Sequence, residues 1–125
     1  MLTLFQKYLS SINAEDIELE NGSISFKRNG LYYLFLFDKK DPFYFRLTLP
    51  NVINVTKDNK DRIFNAINTV NLNFKVAKAI VLLDGNVWIS AEQFVYCNEN
   101  INQLFERMIG LLEVFIYDFR KEVEK

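Results

Sequence analysis

The chain has 125 residues, half of them apolar, with fifteen basic and sixteen acidic side chains for a formal net charge of −1. That length and apolar content fit a single globular domain over 1–125 with one core, not a disordered chain, and the near-neutral charge without a basic stripe argues against a nucleic-acid surface. With no histidine, Ser-His-Asp and Cys-His catalysis are excluded, along with the commonest transition-metal ligand. Cys97 is the only cysteine, so no intrachain disulfide framework can form.

Residues 2–13 open the chain with Phe5, Tyr8, Leu9 and Ile12 at the i, i+3, i+4, i+7 spacing of an amphipathic helix. Its one clear charge is Lys7, which favours packing on the domain over a membrane-surface role. No apolar run reaches the ~18 residues of a membrane span, and no signal-peptide pattern is present; the expected compartment is the cytoplasm.

Asn21-Gly22 and Asn29-Gly30 are turn signals, each predicting a type I′ hairpin in which both central residues take positive φ. Between them, residues 23–28 alternate apolar and polar as a strand with one wet face. Residues 16–20 read as either a short edge strand or a loop. Leu31 to Phe37 is apolar on both faces and aromatic-rich, the pattern of a central strand. Phe43, Phe45, Leu47 and Leu49 then alternate with Tyr44, Arg46 and Thr48, and Pro50 is expected to end that strand.

A second helix is expected after Thr56 or Asp58, with Ile63, Phe64, Ile67 and Val70 as its buried stripe. Asn68 and Asn71 lie at the edge of that stripe. They are placed either to satisfy backbone groups where helix gives way to strand, or to serve a ligand. Residues 74–83 and 86–95 form two strands around the hairpin signal Asp84-Gly85. Trp88 shares a face with Ser90 and Glu92. The last helix carries Ile101, Leu104, Phe105, Met108, Leu112, Phe115 and Phe119 on one broad arc. Gly110, Val114 and Tyr117 fall outside it, where a close contact with another helix or chain is one reading and a tolerated surface glycine the other.

Little of this points to reaction chemistry. The four glycines stand singly, so no phosphate-binding loop or nucleophile elbow is present. Enzymatic chemistry would rest on carboxylates alone, and alternation puts Glu18 and Glu20 on a wet strand face, where they discourage edge pairing. No cofactor or metal site is predicted. The surplus lies elsewhere: Tyr32, Leu34 and Leu36 form a second apolar side to their strand, with Tyr44 and Trp88 on the same side of the sheet. These five residues are the expected binding surface, for a second copy of the chain or another protein. A small-molecule site on the same face, given polarity by Asn68 and Asn71, is the alternative.

Arg62, Phe64, Asn65 and Asn68 on the middle helix, the following Phe74, Lys75, Lys78 and Leu82, the Asp84-Gly85 hairpin, Val87-Trp88-Ile89 and the long last helix together resemble the YbjN family of small bacterial proteins, which has the type III secretion chaperone fold. The resemblance spans nearly the whole chain. It implies an α+β domain, an antiparallel sheet with helices packed mainly on one face in the order α-β-β-β-α-β-β-α. It also implies a non-enzymatic cytoplasmic protein, often a homodimer, with a regulatory or chaperone-like role in binding other proteins. The chain lacks the strong acidity of secretion chaperones.

Overall fold

A computed structural model describes all 125 residues. Its elements are α1 (Leu2–Ser10), β1 (Glu15–Glu20), β2 (Ser23–Arg28), β3 (Leu31–Asp38), β4 (Asp41–Asn54), α2 (Lys60–Asn73), β5 (Ala77–Val81), β6 (Asn86–Phe94) and α3 (Ile101–Val123). The α+β class and the antiparallel sheet are as expected, and residues 16–20 resolve as a strand, which makes four before α2. All six strands form one open sheet in the order β1-β2-β3-β4-β6-β5, every neighbouring pair antiparallel.

Period-two alternation sends one side of each inner strand into the core. Ile24 and Phe26 from β2, Tyr33 and Phe35 from β3, Phe45, Leu47 and Leu49 from β4, and Val87, Ile89 and Ala91 from β6 are all buried there. The three helices close the same side in a single apolar cluster. From α1, Phe5 stacks on Phe35 with ring centroids 3.9 Å apart and meets Phe105 of α3 edge-on at 4.9 Å. The α3 arc is buried as its spacing predicts except at Leu104, which is half-buried, and Phe115 packs on Phe74 beyond the end of α2.

Several local features depart from expectation for definable reasons. Helix α1 stops at Ser10 because the Ser10 and Ser11 hydroxyls donate to the carbonyls of Lys7 and Tyr8, in competition with further helix. Both Asn29 and Gly30 take positive φ, as a type I′ turn requires, but at Asn21-Gly22 only the glycine does. Strand β4 runs on through Pro50 to Asn54. The proline costs no ladder bond there, because it lies beyond the last β3 pair, Leu34 with Thr48, and within the break in the β6 register between Leu49 and Ile53. In α2 the buried residues are Ile63, Ala66 and Val70; Phe64 is turned out under the Lys60 ammonium, 5.6 Å from its ring centroid. Ile63, Ala66, Ile67 and Val70 carry the full i, i+3, i+4, i+7 stripe, and alanine lets α2 approach its neighbours closely.

The far edge of the sheet is closed by a side chain. Asn71 accepts from the Ala79 amide at 2.8 Å and donates to the Ala79 carbonyl at 3.1 Å, pairing with β5 as another strand would. The Lys78 ammonium returns to the carbonyls of Asn71 and Phe74 at 2.6 and 2.7 Å, satisfying acceptors at the C-terminal end of α2. Asn71 therefore fills the backbone-satisfying role, while Asn68 stays exposed without a side-chain hydrogen bond. Replacing Asn71 with alanine leaves both Ala79 groups without their partner and should cost about 1–3 kcal/mol; urea denaturation measures it, and Asn68→Ala should change stability by less than about 0.5 kcal/mol.

Candidate interaction face

The side of the sheet opposite the helices is covered by neither helix nor loop. Directly paired residues share a face, so the register gives its layout. One cross-strand row runs Glu18, Ser25, Leu34, Thr48, Ser90, Lys78 from β1 to β5; a second runs Glu20, Ser23, Leu36, Arg46, Glu92. Lys27 pairs with Tyr32 and Trp88 with Ile80 in the third.

All five residues expected on this surface are here. Tyr32, Leu34 and Leu36 form a file along β3, the tyrosine 57% exposed and the leucines half-buried by their neighbours. The Lys27 ammonium lies 5.5 Å from the Tyr32 ring centroid. Tyr44 and Trp88 are also half-buried but stand apart from that file. The Tyr44 hydroxyl donates to Glu92 at 2.7 Å and accepts from Arg46 Nε at 3.2 Å, and Arg46 pairs with Glu92 at 3.2 Å. Partial burial, then the Glu92 carboxylate, raises the Tyr44 phenol above its usual range. Trp88 donates from Nε1 to the Asn51 side chain at 3.1 Å, a bond made available by the positive φ of Asn51 in the β4 irregularity.

The face is thus mixed: an apolar file flanked by polar rows. At its centre Thr48 is fully buried. Its hydroxyl donates to the Ile89 carbonyl at 2.9 Å, so in the 2.6 Å contact with Ser90 the serine supplies the proton. At one end lies an aromatic group that alternation only half reveals. Phe94 pairs with Tyr44, and Tyr96 beyond the end of β6 lies against Phe43, with centroids 5.1 Å apart. Phe43, Phe94 and Tyr96 are all exposed. Phe94 was legible from its parity with Trp88 and Glu92; Phe43 has the core-side parity of Phe45 and Leu47 but is exposed at the start of β4.

Elsewhere, the Gly110 site on α3 is open, with nothing within 4 Å of where a Cβ would stand. Val114 and Tyr117 beside it are exposed, and the Lys121 ammonium sits 4.6 Å from the Tyr117 ring. No group of three or more Cys, Asp or Glu side chains converges as a metal-ligand set. No helix is long and apolar enough to cross a membrane.

The densest polar cluster is structural and lies on the helix side. Arg28 of β2 holds Glu106 of α3 through two bonds of 2.9 and 3.1 Å, and Tyr8 of α1 donates its hydroxyl to the same carboxylate. These bonds, Arg28 foremost, hold the Glu106 carboxyl below its usual range. Burial first, then Glu106, raises the Tyr8 phenol, which stays a neutral donor. A carboxylate with a lowered folded-state pKa stabilises the fold fully above its unfolded value and loses that contribution as pH falls through the folded value. The stability of the native chain should therefore drop on acidification below about pH 4.5, and Glu106→Gln should flatten that part of the profile; denaturant titrations from neutral pH to pH 2.5 check it.

No protein-family model matches the chain, and none of the curated proteins is similar to it, so neither comparison supports the expected resemblance to the YbjN family.

Proposed function

We propose that the chain is a non-enzymatic binding module of chaperone-like, regulatory type, acting in the cytoplasm by seating another protein chain on the bare sheet face, a second copy of itself first. One observation carries this reading: all three helices share one side of a six-stranded sheet and leave Tyr32, Leu34, Leu36, Tyr44 and Trp88 uncovered on the other. The sheet edges are poor alternatives. Asn71 occupies the β5 edge, and β1 is an acidic strand with a positive-φ residue, Asp16, in its register break, features that oppose edge-to-edge pairing.

The layout of the face suits a second copy. Glu18 and Glu20 lie along its β1 margin, and the β5 margin carries no acidic residue, its Lys78 being turned back to the end of α2. A two-fold axis parallel to the strands lays β1 over β5 of the partner and β3 over β4. That places Leu34 over Thr48 and Lys27 over Trp88 in an isologous contact and keeps the acidic β1 margins of the two copies apart.

Light scattering across a dilution series should find a dimer. Leu34→Glu puts a charge in the middle of the contact and should give a monomer with an unchanged circular dichroism spectrum. A wild-type monomer at every concentration sinks the self-contact, and an unfolded variant would place Leu34 in the core.

A further inference from the structure

A separate groove lies on the helix side, at the β5 end of the sheet, and the bare-face reading makes no use of it. It is a half-open cavity of about 490 Å³, within the range of small-ligand sites. One wall is the α3 face that carries Leu104, Arg107, Met108 and Leu111; the other is the α2–β5 connection, Asn73, Lys75 and Val76, with Gln93 of β6 between them. Leu104, Met108 and Leu111 are spaced i, i+4 and i+7, so the floor is a continuous apolar strip.

Two features of this groove bear on what it can hold. First, its two cations are unengaged. Arg107 and Lys75 make no side-chain hydrogen bond and join none of the three ion pairs, which use Arg28, Arg46 and Lys125. Second, its wall is strained. Val76 has φ +70°, and the Ala77 amide bonds back to the Lys75 carbonyl at 2.7 Å, which closes a γ-turn around a β-branched residue. That conformation is rare and unfavourable for valine, and such strain gathers at ligand clamps. The turn is fastened from behind by the Lys78 bonds to the end of α2 and by the Asn71 bonds to Ala79.

We propose that this groove binds a small amphipathic carboxylate, its apolar body along Leu104, Met108, Leu111 and Val76 and its head between Lys75 and Arg107. The guanidinium can take both carboxylate oxygens and the ammonium adds a point charge, while the apolar strip excludes a purely polar anion.

Isothermal titration calorimetry of the intact chain with hexanoate, octanoate and decanoate below their micellar concentrations tests this, with 1-octanol and acetate as controls. Binding should tighten with chain length, and octanol and acetate should each bind at least about tenfold more weakly than octanoate. Arg107→Ala and Lys75→Ala should each weaken octanoate about tenfold or more, with Arg107→Lys recovering part of the loss. Leu34→Glu, on the opposite face, should leave the affinity unchanged, which keeps this result apart from the dimer test. The proposal is overturned if none of the three carboxylates binds, if octanol binds as well as octanoate, or if Arg107→Ala has no effect.

Discussion

The fold depends on the stack of Phe5 on Phe35 and the edge of Phe105 that closes it. Phe35 lies on the central file of the sheet, Phe5 on the first helix and Phe105 on the last, so three rings join the most distant parts of the chain at one point. Phe26, Tyr33 and Phe45 extend the aromatic layer sideways along the sheet, with stacked centroids 5.0 to 5.3 Å apart. Such pairs add about 0.5–1.5 kcal/mol each beyond the area they bury. Against a net stability of about 5–15 kcal/mol for a domain of this kind, the junction at Phe35 decides whether helices and sheet stay together.

That junction also explains why the two sides of the sheet differ. Aromatic rings concentrated on one side draw all three helices there, and α1 is held in place at its rim by the Tyr8, Arg28 and Glu106 cluster. The opposite side is left with what alternation supplies: the β3 file, hydroxyl and charged rows, and the aromatic group at the far end of β4 and β6. A sheet with one face solvated is the ordinary antiparallel solution. Here the solvated face keeps large apolar side chains among its polar ones and carries acidic residues along its β1 margin.

Much of this was legible wherever local pattern and burial obey the same period. The alternation at 43–49, the two-sided apolar run at 31–37 and the broad arc of the last helix each found their places, and Trp88 took the face its parity assigned. Residues 16–20 stayed ambiguous because a short acidic edge segment that is exposed at every position buries no side to distinguish strand from loop. Phe64 misled because a large ring outranks alanine on any hydrophobic scale, yet Ala66 is the residue that lets α2 pack closely. Position 76 fell within the strand expected over 74–83 before the Asp84-Gly85 hairpin; tertiary constraint instead folds it into a turn, and β5 begins at Ala77. The groove beside it draws on residues 73–76, 93 and 104–111, and only the tertiary structure brings those segments together.

Helix α3 supplies Phe105, Met108, Leu112 and Phe115 to the centre of the core, yet it comes after every strand in the chain. As the polypeptide leaves the ribosome, β1 to β4 can form their meander through local hairpins while its aromatic side has only α1 to cover it. The ring junction at Phe35 cannot be completed until residues beyond 101 emerge. The acidic β1 and the Lys39-Lys40 turn give the nascent meander charged margins during the interval, so the features that blunt the finished sheet also guard the unfinished one.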